Sequence, residues 1–246
     1  MNEQIKGFEE AYEKALADFQ KALRKPWEAF KKALANRDTN AIDQAWKALQ
    51  KALASEAGDI EALKFTIITW SLLAAQPIND AWASLTGEDP MSVKSNSIVR
   101  SEVLWFFLHM MDRYAFSIGG PEVRATLQDA IVENAIQDVL IASFDTSHAK
   151  KGFDTKEWLS RMATSALEEF NEAGLDYSSC KTLGVEGKGD FAREGTILGK
   201  LAARINHLVG QGYNIQLRLL IWATAVESLS KSRLKEQVEK TCNILR

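Results

Sequence analysis

Four ionisable side chains lie within one of the most apolar stretches of the chain, EVLWFFLHMMDRYAF, at residues 102–116. On a helix that turns by about 100° per residue, Glu102, His109 and Arg113 fall within a narrow stripe. Asp112 lies at the margin of that stripe. The rest of the helix surface is apolar, which favours a central position in the fold. The sequence therefore predicts aligned polar groups inside a core-forming helix.

Three interpretations of this stripe are open. The first is structural: His109 and Arg113, four residues apart, form a polar network with nearby carboxylates, which satisfies their hydrogen bonds. The second is a metal or small-ligand site, in which Glu102, His109 and Asp112 act as ligands do in carboxylate-bridged helical bundles. The third is general acid–base catalysis by a histidine that a neighbouring carboxylate tunes.

The helix predicted over residues 123–144 offers partners for the stripe. Asn134 and Asp138 lie four residues apart on an otherwise apolar face of that helix. Across the short predicted turn at 118–122, the two helices could be antiparallel neighbours, with an approximate match in depth. The candidate ligand-binding or metal-binding residues are therefore Glu102, His109, Asp112, Arg113, Asn134 and Asp138.

Other motifs give little support to catalysis or to a bound cofactor. A di-metal helical bundle uses Glu-x-x-His pairs, and the chain contains none. The segment GVEGKGD at 184–190 lacks the spacing of a phosphate-binding loop and has no serine or threonine after Lys188. Cys180 has no assignable base partner. We therefore predict no catalytic residue and no cofactor.

Composition narrows the possible partners and the compartment. The formal net charge of −3 lacks the basic excess that nucleic-acid-binding proteins carry. Cys180 and Cys242 form no disulfide framework or zinc spacing. A single disulfide between the two is an alternative that the sequence leaves. The most apolar windows, 65–75 and 103–111, are shorter than the ~18–20 residues that a membrane span needs, and the N-terminus lacks a secretion signal. We expect a cytoplasmic protein without nucleic-acid partners or membrane contact.

Helical periodicity runs through almost the whole chain. Apolar residues at spacings of three, four and seven predict an amphipathic helical hairpin at residues 1–57, packed on a main bundle at residues 58–246. The first helix of the main bundle, which begins near residue 59, is expected to break or kink at Pro77. Tyr213 is expected to begin one long closing helix. No alternating apolar–polar run predicts a strand. The fold class is all-α, a multi-helix bundle of roughly seven to nine helices.

Three segments together carry a resemblance to other proteins. The run H-x-x-D-R-x-A-F at 109–116, then GPEVR at 120–124 and GTILGKLAARI at 195–205, resembles uncharacterised bacterial all-helical proteins. The resemblance spans about residues 98–210 and leaves the N-terminal hairpin outside. It implies an all-helical bacterial protein and brings no activity with it.

The functional hypothesis rests on amphipathic, aromatic-bearing helices without a catalytic motif. It is a non-enzymatic helical binding or protein-interaction protein that binds a protein partner, or a second copy of itself, through the N-terminal hairpin or a groove of the bundle. The alternative is a metal- or small-ligand-binding bundle with a site around Glu102, His109 and Asp112.

Overall fold

In the computed structural model, the described residues are 59–87, 93–143, 155–180, 183, 195–210 and 212–246, with single helical positions at 29, 44 and 48. Over these residues the chain forms helices and no β-strand, which confirms the all-α class. The chain divides into two compact units, Met1–Ala62 and Leu63–Arg246. Apart from those three positions, the predicted hairpin at 1–57 lies outside the described residues. That hairpin and the count of seven to nine helices therefore stay predictions.

Six helices are described: α1 (Asp59–Thr86), α2 (Val93–Ser143), α3 (Thr155–Ser178), α4 (Ile197–Leu208), α5 (Ile215–Ser232) and α6 (Leu234–Leu245). The central one is α2, which contacts α3, α4 and α6, while α4 packs on α5. The side chains between Val103 and Met111 are almost all buried, as their apolar pattern predicts for a central helix. Within the described part of the chain, no helix is both long enough and apolar enough to cross a bilayer.

A sharp bend divides α2 into two arms at the predicted turn. Gly120 has φ 79° and ψ −174°, a conformation that is strained for residues with a Cβ atom. Pro121 follows and begins the second arm, where a missing backbone N–H costs little. The bend brings the two arms together, because Arg124 Nε lies 2.6 Å from Asp112 Oδ1.

Two helix boundaries differ from the sequence prediction. The first helix continues through Pro77 to Thr86, so the predicted break is absent, and the alternative of a kink stays a prediction. Near its end, the Trp82 indole donates a hydrogen bond of 3.2 Å to the Val209 carbonyl, which ties α1 to the end of α4. The predicted single closing helix is two helices, because Arg233 adopts a left-handed conformation with φ 52° between α5 and α6. No glycine or proline marks this break, so the sequence carries no turn signal there.

Polar side chains cap the N-termini of α4 and α5. The Thr196 hydroxyl accepts a hydrogen bond of 3.0 Å from the Gly199 backbone N–H at the start of α4. The Asn214 side chain accepts one of 3.0 Å from the Leu217 backbone N–H at the start of α5. Each cap satisfies a backbone donor that has no partner within its helix. The Thr196 cap fixes where α4 begins and therefore the height at which its side chains meet α2.

Candidate functional site

His109 is held between α2 and α3 by ring contacts. Its imidazole stacks on the Phe170 ring with centroids 4.4 Å apart and planes 7° apart. The Tyr177 ring lies tilted at 5.2 Å on the same helix. Gly174 makes room for this stack, because a Cβ atom there would lie 2.9 Å from Cε1 of His109. The α3 helix therefore packs closely against the histidine ring.

The hydrogen bond of His109 fixes its tautomer. Nε2 lies 3.2 Å from the Phe170 carbonyl oxygen. A carbonyl only accepts hydrogen bonds, so Nε2 carries the proton. Burial lowers the pKa of His109 to about 4, against a smaller opposing effect of the Phe170 carbonyl and Asp112. The imidazole is therefore neutral at neutral pH, and its Nδ1 is a hydrogen-bond acceptor.

Arg113 closes the end of α3. One terminal nitrogen, Nη2, donates to the Tyr177 carbonyl at 2.6 Å and to the Cys180 carbonyl at 2.7 Å. The last carbonyls of a helix lack partners within that helix, and a cation is favourable at this end of the helix dipole. Arg113 therefore anchors the C-terminus of α3 to α2.

Glu102 belongs to a separate ion-pair network that joins α2 to α4. Arg204 donates to Glu102 from Nε at 2.8 Å and from Nη2 at 2.7 Å. Its third nitrogen, Nη1, donates to Asp176 at 2.7 Å, and Lys200 lies 3.5 Å from the same carboxylate. The hydrogen bonds to Glu102 raise the pKa of the Arg204 guanidinium above its ordinary value. This network explains the buried Glu102 as a structural group.

A cavity of about 250 Å³ lies between α2 and α3 beside the histidine. Phe170 and Leu175 supply apolar wall, and two of the polar groups, Asp112 and Arg124, are paired with each other. The cavity is therefore a polar recess with charges of both signs. Its polar side chains include His109, Asp112, Arg113, Arg124, Gln128 and Asn171.

The structure brings together three of the six candidate residues. His109, Asp112 and Arg113 line the cavity, whereas Glu102 does not. Asn134 and Asp138, the two candidates on the second arm of α2, do not line this cavity. Asn134 donates to the Ala130 carbonyl of its own helix at 2.9 Å, and Asp138 pairs with Lys64 at 3.5 Å. The bend at Gly120 instead brings Arg124 and Gln128 to the depth of the stripe.

A metal centre gains no support from this geometry. Among the residues that the structure describes, no group of three or more histidine, cysteine or carboxylate side chains could hold a metal ion. Glu102 is bound by Arg204, and Asp112 is bound by Arg124. Each carboxylate is therefore already paired with a guanidinium.

Sequence reasoning missed the cavity residues that come from other segments. Arg124 lies in the GPEVR segment, but its residue type alone gave no reason to pair it with Asp112. Phe170, Asn171 and Gly174 lie on an amphipathic helix without a motif. Their role depends on which face of α3 meets α2, and helical periodicity does not specify that contact.

Comparison of the chain with protein-family models, with curated proteins and with solved structures finds no match. The functional interpretation therefore rests on the residues and contacts of this chain.

The fit between Gly174 and the histidine ring gives a first prediction. Gly174→Ala is expected to lower the free energy of unfolding by about 1–3 kcal/mol, because the new methyl group must displace a stacked ring. This loss should outweigh the ~1 kcal/mol that alanine normally gains over glycine in a helix. Urea unfolding measures it. Gly195→Ala is the matched control, because a Cβ atom there meets open space. A stabilised Gly174→Ala variant would contradict the close packing of Gly174 against the His109 ring.

Proposed function

We propose that this chain is a non-enzymatic binding protein whose cavity between α2 and α3 holds a small polar molecule. The observation that carries the proposal is a set of cavity-lining side chains with nitrogen donors that make no hydrogen bond to protein. The side-chain amides of Gln128 and Asn171 make no hydrogen bond within the described part of the chain, and the same is true of the two terminal nitrogens of Arg124. Binding sites commonly combine apolar walls with a few such groups.

The state of His109 supports binding over acid–base catalysis. A general base works best when its pKa lies near the operating pH. The pKa of His109 is about 4 because the ring is buried. A neutral imidazole of this kind is a weak base at neutral pH, but it accepts a hydrogen bond from a ligand.

A screen of small polar compounds by NMR tests the proposal. Compounds that occupy the cavity should shift the imidazole resonances of His109 in the full chain. Asn171→Ala should weaken that binding about three- to tenfold, because it removes a neutral hydrogen bond worth about 0.5–1.5 kcal/mol. Asn134→Ala is the matched control, since Asn134 lies outside the cavity and bonds to its own helix. If no compound perturbs His109, the proposal fails.

A second candidate function is self-association, and an exposed apolar stripe on α5 favours it. Ile215, Leu219 and Val226 are 47%, 44% and 36% exposed. Trp222 and Leu229 continue the stripe and are partly exposed. The spacing of four, three, four and three residues is that of a helix–helix seam. The predicted hairpin at residues 1–57 is the other candidate surface, on its sequence pattern alone.

The occupant that we propose for the α5 stripe is α5 of a second copy. A two-fold axis brings the same stripe of two copies face to face, so that each apolar side chain meets a seam of equal length and spacing. One helix of 18 residues offers less than the ~800 Å² per partner of a standard interface, so the dimer should be weak.

Sedimentation or light scattering at rising concentration tests this second candidate. The expected result is a mass that increases toward the dimer, with the increase lost in Leu219→Glu. Leu167→Glu changes another exposed leucine, on α3, and should leave the association intact. A constant monomer mass would overturn the candidate, as would equal association of Leu219→Glu.

A further inference from the structure

We infer that the cavity between α2 and α3 recognises a small monocarboxylate that also carries a hydroxyl group as a hydrogen-bond donor. This inference rests on the proposed binding function and adds the chemical class of the ligand. Its basis is the balance of donors, acceptors and charge on the cavity wall. Each of these is fixed by contacts that the lining residues already make.

The wall of the cavity carries a net positive charge. Arg113 and Arg124 are its two cations, and Asp112 is its one carboxylate among the described lining residues. The neutral histidine adds no charge, so the wall carries a formal charge of +1. One negative charge on a ligand neutralises this wall. A phosphate dianion would leave an excess negative charge beside Asp112, which favours a monoanion.

Several nitrogen donors on the wall make no hydrogen bond to protein. Arg124 uses Nε for Asp112, which leaves both terminal nitrogens without a hydrogen bond. Arg113 uses Nη2 for the carbonyls of Tyr177 and Cys180, which leaves Nε and Nη1. A guanidinium binds the two oxygens of a planar carboxylate in parallel, and such charge-assisted bonds are strong. The amides of Gln128 and Asn171 add neutral donors.

The wall also carries two hydrogen-bond acceptors that a simple carboxylate ligand would leave unpaired. His109 donates from Nε2 to Phe170, so its Nδ1 is an acceptor without a hydrogen bond. Asp112 receives Arg124 on Oδ1, which leaves Oδ2 without a hydrogen-bond partner. A polar group left unpaired when a ligand excludes water weakens binding. A ligand donor near its carboxylate avoids this loss, as in a hydroxy acid.

The size of the cavity limits the ligand. A volume of about 250 Å³ lies just below the ~300–1,000 Å³ that is usual for ligand pockets. A small ligand therefore suits it. The ligand class is a short hydroxycarboxylate.

Binding of five probes to the full chain tests the inference. Glycolate combines a carboxylate with a hydroxyl donor, acetate lacks the donor, glycolamide and zwitterionic L-serine carry no net charge, and inorganic phosphate carries more charge. Glycolate should bind at least tenfold more tightly than glycolamide, L-serine or phosphate, with acetate between them. Titrations followed by the His109 imidazole resonances report occupancy of the cavity itself.

A substitution at the wall separates recognition from folding. Arg124→Gln should weaken glycolate binding about tenfold, because it removes a charge-assisted contact worth about 1.4 kcal/mol, and it should leave glycolamide binding nearly unchanged. Lys231→Gln is the control, since it also removes an exposed cation with a carboxylate partner, on α5. Tighter binding of glycolamide or phosphate than of glycolate would overturn the ligand class and leave the binding function standing. If neither these probes nor any compound in the wider screen shifts His109, both proposals fail.

Discussion

Replacement of Arg204 by methionine is expected to lower the free energy of unfolding by about 3–5 kcal/mol. Arg204 holds both oxygens of Glu102 through hydrogen bonds of 2.8 and 2.7 Å. The glutamate is only 3% exposed, so water cannot replace the guanidinium. Loss of the arginine leaves a charged carboxylate in the core, where the cost of desolvation has no compensation. Urea unfolding at neutral pH, followed by tryptophan fluorescence, measures the loss.

An exposed ion pair provides the matched control for Arg204→Met. Lys231 pairs with Glu227 on the surface of α5, and both side chains are more than half exposed. Such pairs contribute about 0–1 kcal/mol, so Lys231→Met should have little effect. The double variant Glu102→Leu with Arg204→Met should recover much of the lost stability, because no buried charge is left. An effect of Arg204→Met no larger than that of Lys231→Met would contradict the buried network.

The second large effect concerns acid. Burial lowers the pKa of His109 from the ordinary 6.5 to about 4. Between these values the unfolded chain binds a proton at this position and the folded chain does not. The stabilisation from a neutral His109 is therefore complete above about pH 6.5 and is lost as the pH falls toward 4. At ~1.36 kcal/mol per pKa unit, the loss reaches about 3 kcal/mol.

Unfolding free energies measured at several values between pH 7 and pH 4 test this effect. Other acids titrate in the same range, so the comparison between variants isolates the histidine. His109→Gln should flatten the decline by about 3 kcal/mol, whereas His207→Gln changes an exposed histidine and should keep it. Asp112 opposes the lowered pKa, and Arg113 and Arg204 reinforce it. If the decline is unchanged in His109→Gln, the ring is not buried in its neutral form.

The sequence predicted the elements of the site better than their partners. The apolar pattern around residues 102–116 placed α2 at the centre of the bundle, because burial on every side of a helix is visible in one segment. It also aligned His109 with Arg113. It did not distinguish Glu102, which pairs with α4, from Asp112, which faces the cavity. That distinction depends on the helices that pack against each side of α2.

Two local features explain the errors at helix boundaries. Pro77 removes one backbone donor, yet α1 continues through it, so its surroundings outweigh the intrinsic preference of proline. Arg233 ends α5 in a left-handed conformation that arginine rarely adopts. Neither outcome can be derived from residue type. By contrast, Gly120 and Pro121 marked the bend of α2 correctly, because each residue has a direct conformational reason to be there.

The bend at Gly120 also bears on the order in which the bundle assembles. It lets Asp112 find Arg124 only 12 residues along the chain, whereas Glu102 must find Arg204 across 102 residues. Closing the longer loop costs about 2 kcal/mol more in chain entropy, since this cost grows with the logarithm of loop length. Contacts between near neighbours in sequence form faster than distant ones. We therefore expect the two arms of α2 to form a local hairpin early in folding, onto which α4 docks later.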